Sequence, residues 1–523
     1  MEILSQSAYQ TWHQIREREA NQSIYELWLP ALLLGSMGAI TWAIRGTAGW
    51  GGVDGTVVPG LMWGILWYYL SQQRGIDARG IVFWLGMGIA LGGELGYGQY
   101  TGWILGKFSY GNNILPISPA TGYLWFFLCG IGWAAPGGIL LGWALNGNVS
   151  IAKWLARTLL LLFLLVVLFA WPIVDWFAAR FVDCCPGLLF PNADLGIYAG
   201  TLDKHLQRTI YTNTQNFLVV VWWLVALLLA WMQRDRSTVV TGLILGVGFG
   251  FGFMQSAMWC LGYGFAPKYI DWWKMWELNS GFNLGVLYAI VLFWVTTQTD
   301  KKHTSKGDGF SEAKNENKSR KELWQETLFL AFGGSVLLYF MGFEYFFWTG
   351  ILLSLFYFIT MSLIMIANNH QFNPQIIIAR RKNIFFVFSM FLLVFLLFHG
   401  GSTQAGIVFG LYSREAADQY AWPLGRIAVF LPFALVLTAV TIYKIQQILK
   451  ISPNDSQTGR FLLHSTQLTN LMTFTAFIGA LSIWPAKIGI FYALFLFLAL
   501  YAFGKINCII NEKSRKPLKD SSL

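Results

Sequence analysis

Apolar runs of about 18 to 25 residues recur along almost the whole chain, separated by short polar connections, and nothing else in the sequence constrains the fold as strongly. About 20 residues wound as an α-helix measure about 30 Å, the thickness of a bilayer's hydrocarbon core. No water in that core can satisfy a peptide group, so a run that enters it must make its backbone hydrogen bonds within itself. Such runs lie near residues 27–44, 53–70, 80–98, 122–145, 155–174, 217–232, 239–262 and 276–297, then near 323–341, 345–367, 384–398, 426–443, 470–484 and 488–503. The reading is an all-α, polytopic transmembrane helix bundle of about 14 helices, with the lipid bilayer as its first partner.

Composition agrees with that solvent. Hydrophobic residues make up 55% of the chain and charged residues only 12%, above the apolar share and below the charged share of an average soluble domain. Aromatic residues reach 17%, with 26 Trp, and such rings are expected in belts where helices cross from hydrocarbon to headgroup.

A net charge of +10 would suggest nucleic acid in a soluble protein, but here it is explained by orientation. When the connections alternate between two sides, most of the 36 Lys and Arg fall on the side of the N-terminus. By the positive-inside rule both termini are then cytoplasmic in a plasma (inner) membrane, and no nucleic-acid partner is expected. The chain divides into a lead-in over 1–26, a glycine-rich membrane domain of about eight helices over 27–297, a charged linker over 298–322, a second membrane domain of about six helices over 323–503 and a basic tail over 504–523.

Sites of soluble-enzyme type are missing. The five Cys form no Cys-x-x-Cys pair, so neither a metal nor another cofactor is expected. Gly102 to Lys107 has the wrong glycine spacing for a phosphate-binding loop and is followed by Phe108 where Ser or Thr would hold magnesium. Gly400 to Gln404 departs from a nucleophile elbow at its last position. The longest stretch outside the helices, Asp175 to Asn216, is too short for a catalytic domain. Any chemistry therefore happens in or at the membrane.

The informative polar residues collect at the outer face. Arg45 ends the first helix, a glycine-rich break carries Asp54, and Glu94 falls about 14 residues into the third helix, where Arg45 is its expected counter-ion. Gln255, Glu277, Asn279 and Asn283 lie around Trp272, Trp273 and Trp276, with Asn279 and Asn283 one helical turn apart. His399 and Arg414 form a second group near the eleventh helix. Vicinal Cys184 and Cys185 stand in the predicted outer loop, where an oxidising compartment would permit a disulfide. The glycines of the third, fourth and seventh helices read as close-packing positions, and the aliphatic stretch Leu159 to Leu168 as a lipid-facing helix.

Two function classes fit. One is a secondary transporter or permease for a polar or anionic solute, with Arg45, Asp54, Glu94, Gln255, Glu277, Asn279, Asn283, His399 and Arg414 as its binding residues. The other is a membrane-embedded transferase for a lipid-linked substrate at the outer face, with Asp54 or Glu94 as general base and Arg45 on a phosphate. A non-catalytic assembly protein is the third alternative.

Overall fold

The computed structural model describes residues 26–43, 53–72, 81–110, 113–146, 150–184, 204–266, 270–305, 443 and 489–515. The helices expected near 323–341, 345–367, 384–398 and 470–484, with His399 and Arg414, lie outside them. So does the helix expected near 426–443, apart from Tyr443.

The chain enters the bundle through α1 (Glu26–Ala43). It continues through α2 (Val53–Gln72), α3 (Ile81–Gly92) and the short α4 (Gly98–Ile104). A two-stranded antiparallel hairpin, β1 (Lys107–Tyr110) and β2 (Asn113–Pro116), follows with Lys107 opposite Pro116. Then come α5 (Pro119–Leu145), α6 (Ile151–Phe169), α7 (Trp171–Cys184), α8 (Lys204–Met232), α9 (Arg236–Ala257) with a 3-10 extension over Met258–Gly264, α10 (Trp272–Ser305) and α11 (Gly489–Arg515). Among the described residues, five helices are long and apolar enough to cross a membrane, or six if the bent pair α6 and α7 forms one span. Apart from the hairpin, the described elements are helical, as the run lengths predict.

Glycine sets how closely these helices meet. A β-carbon on Gly142 of α5 would come within 2.4 Å of Thr238 Cα on α9, and one on Gly130 within 2.7 Å of the Phe249 carbonyl. Gly88 of α3 meets Gly137 of α5 at 2.4 Å in the same sense, and Gly281 of α10 meets the Gly38 carbonyl of α1 at 2.3 Å. Without a hydrophobic drive between helices in lipid, such backbone approach supplies the van der Waals packing that holds them.

The tryptophans depart from the belt expectation. Trp42, Trp63, Trp67, Trp103, Trp133, Trp222 and Trp276 are fully buried. Indole N–H groups reach carbonyls on neighbouring helices: Trp63 to Leu34 at 2.9 Å, Trp67 to Tyr288 at 3.2 Å, Trp222 to Leu160 at 2.9 Å and Trp223 to Gly242 at 3.0 Å. A buried indole must find an acceptor, and a helical carbonyl has a second lone pair to offer. Some of the Trp excess is thus internal cross-bracing, with glycine making room for rings, as Gly246 does for Trp223.

Two charged contacts lie at opposite ends of the bundle. Arg157 of α6 bonds Asp235 at 2.9 Å while its guanidinium lies 5.5 Å over the Trp143 ring. Asp235 also caps α9 by accepting from the Thr238 N–H at 3.2 Å. At the other end, Lys274 of α10 donates to the carbonyl of Ala43, the last described residue of α1, at 3.1 Å.

Candidate functional site at the broken third helix

The third helix is shorter than its apolar run. Described from Ile81, α3 stops six residues before the end of that run at 98. It ends at Gly92, which packs on Trp133, midway along the 27-residue α5. Residues 93–97 then run without helix before α4 begins. Glu94 therefore sits in a turn beyond the end of the helix rather than within it, because consecutive glycines at 92 and 93 stop the helix there.

A break of this kind exposes peptide carbonyls, and side chains meet them. Trp133 donates to the Leu95 carbonyl at 3.0 Å. Asn216 donates to the Gly96 carbonyl at 3.0 Å and to the Tyr100 hydroxyl at 3.1 Å. Tyr100 in turn donates to Asn213 Oδ1 at 2.6 Å, which also accepts from Gln99 at 3.3 Å. Both asparagines come from α8, whose first half buries Thr209, Thr212, Asn213, Thr214, Gln215 and Asn216. That polar stretch is helical and internal, not part of an outer loop as its composition suggests. Its polarity hides it from a search for apolar runs.

Tyr97, at the end of the break, is ringed by aromatics, with centroid separations of 4.8 Å to Trp276, 5.6 Å to Trp133, 5.8 Å to Trp273 and 5.9 Å to Phe253. The break is only partly covered. Glu94, Gly96, Tyr97 and Gln99 are half-buried, Gly98 is exposed, and a β-carbon on Gly98 would meet nothing within 4 Å. Buried polar atoms nearby lack protein partners among the described residues, including Asn216 Oδ1 and Trp276 Nε1.

The residues singled out from the sequence fall into separate places. Asp54 lies in the first turn of α2, and the pairing of Thr56 with the Ala90 carbonyl at 3.4 Å brings that turn to the end of α3 that carries Glu94. Arg45, the expected counter-ion of Glu94, lies outside the described residues. Glu277 is 2% exposed and forms an ion pair with Lys274, and its other oxygen accepts from Trp273 Nε1 at 3.0 Å. Lysine three residues earlier on the same helix signals this pairing.

Asn279 and Asn283 do share a face, with 3.3 Å between Asn279 Nδ2 and Asn283 Oδ1. Asn283 continues to Gln255 Oε1 and the Gly252 carbonyl, each at 2.8 Å, and Trp259 donates to Asn279 at 3.1 Å. This amide row is distinct from the buried Lys274–Glu277 pair. An apolar groove of about 430 Å³ between α1 and α10, lined by residues such as Trp28 and Phe282, lies apart from both. Gly102 to Lys107 spans the end of α4 and the start of β1, with Gly106 at φ 75°, and so forms a tight turn into the hairpin.

No protein-family model, curated protein or solved structure matches this chain. The arrangement must therefore be read from its own chemistry. Among the described residues no group of His, Cys, Asp and Glu could hold a metal ion. What the break offers is a set of neutral hydrogen-bonding groups beside aromatic faces, with one carboxylate at its edge.

Proposed function

We propose that this chain is a secondary transporter or permease for a polar solute, set in a plasma membrane with both termini cytoplasmic, and that the solute passes the break between α3 and α4. The observation that carries this reading is a helix interrupted midway along its neighbour, with its freed Leu95 and Gly96 carbonyls met by side chains of α5 and α8. Irregular backbone inside a membrane is tolerated where protein buries it or where it lines a watered cavity, and interrupted helices are where many carriers hold their cargo.

The chemistry favours an uncharged solute over an anion. Asn213, Asn216, Gln99 and Tyr100 supply neutral donors and acceptors, while the nearby charges of Lys274 and Glu277 cancel each other. Gly98 gives the test. With Cys184, Cys185 and Cys508 replaced by Ser, a Gly98→Cys variant in sealed proteoliposomes is exposed to an impermeant thiol reagent from one face and then the other. Alternating access predicts labelling from both faces, with a solute that raises the melting temperature slowing it. Labelling from one face alone, whatever the solute, overturns transport.

A further inference from the structure

The corner between α6 and α7 carries an inference that does not depend on transport. The two helices meet at 79° around Ala170. Gln215 of α8 stabilises the corner by donating to the last-turn carbonyls of α6, Leu168 at 2.9 Å and Val167 at 3.3 Å. Trp171 is stacked on Tyr211 at 4.6 Å, which holds the start of α7 against α8.

From there α7 shows two incompatible kinds of surface. Trp171, Ile173 and Trp176 are 63%, 42% and 56% exposed, and Asp175, Arg180 and Asp183 are exposed as well, while Val174 and Ala178 pack inward. Hydrocarbon would strand three charged side chains, and water would strand Trp176 and Ile173, while Trp171 is covered on one face by Tyr211. The preceding helix turns an apolar face outward through Leu155, Leu159, Leu162 and Phe163, so it adjoins lipid. A helix lying nearly at right angles to such a neighbour runs along the membrane plane.

We infer that α7 is an interfacial helix whose partner is the headgroup layer of the bilayer. At about 100° per residue, Ile173 and Asp175 lie on opposite sides of the helix, one toward acyl chains and the other toward water. Trp176 and Asp183 fall between them, at the level where an indole and a carboxylate are both accommodated. Arg180 lies within about 20° of Ile173 on the same wheel, so its long side chain must snorkel past the Trp176 ring, 5.5 Å from the guanidinium, to bring the charge up to lipid phosphates.

The test places a nitroxide in turn at Ile173→Cys, Asp175→Cys, Trp176→Cys and Asp183→Cys, in the full chain with Cys184, Cys185 and Cys508 replaced by Ser, in phosphatidylcholine vesicles. Power saturation with oxygen and with a water-soluble nickel chelate reads depth. The expected result is a several-fold higher oxygen-to-nickel ratio at 173 than at 175, with 176 and 183 at similar intermediate depth. Uniformly high nickel access overturns the inference by placing α7 in water. A depth that changes steadily by about 15 Å from 173 to 183 overturns it by making α7 a crossing or re-entrant segment. On the unmodified chain, a water-soluble carbodiimide should label Asp175, and failure to do so also counts against the interface.

Discussion

Lys274 shows how a single side chain can be read wrongly from composition alone. In sequence it is one more charge beside Trp272 and Trp273, whereas in the fold it is 3% exposed, paired with Glu277 and bonded to the Ala43 carbonyl of α1. Removing one partner of a buried pair leaves an uncompensated charge, so Lys274→Met should cost about 3–5 kcal/mol. The double variant Lys274→Met with Glu277→Gln should recover most of that loss in a denaturant titration. Recovery would identify the pair as structural, and equal loss in single and double variants would contradict it. Asn216 makes a second prediction at this scale. Its buried amide bonds the Gly96 carbonyl and Tyr100, so Asn216→Leu leaves that carbonyl only the Cys129 thiol at 3.5 Å and Tyr100 only its bond to Asn213, and should destabilise by about 1–3 kcal/mol. Tyr100→Phe should cost less, because the Asn216 amide retains the Gly96 carbonyl.

Elements are where glycine decides the outcome. A methyl group on Gly88 must fit against Gly137 Cα at 2.4 Å, backbone against backbone, whereas one on Gly98 meets open space. Gly88→Ala should therefore cost about 1–3 kcal/mol through overpacking. Gly98→Ala should be neutral or nearly so, and parallel thermal melts of the two variants check the contrast. The same element explains why counting along the sequence puts Glu94 inside a helix. The apolar run from 80 to 98 is continuous in hydropathy, but the paired glycines at 92 and 93 end the helix, and Trp133 and Asn216 make the ending tolerable. Likewise the helical character of the first part of α8 is hidden in the sequence, because six buried polar residues between 209 and 216 read as loop when their partners in the break, on α4 and on α6 are not in view.

At the scale of the molecule, the described helices form a bundle held by glycine contacts and by tryptophan N–H groups bonded across helices, with a polar interior at the α3–α4 break. The labelling of Gly98→Cys from both faces and the depth profile of α7 are predictions at this scale. Each asks how the whole bundle sits in its membrane rather than what one contact contributes.

The sequence by itself determined the solvent and the building block, because a chain with 55% hydrophobic residues in runs of membrane length can satisfy its backbone only as helices. It also placed Asn279 and Asn283 on one face, since helical spacing is a local property. Tertiary structure alone decided that the end of α3 falls against the middle of α5, that Lys274 reaches the Ala43 carbonyl of α1, and that the tryptophans brace the interior. Those outcomes depend on which backbone carbonyl or side chain lies opposite, across separations such as the 221 residues between Trp67 and Tyr288. No local pattern encodes such pairings.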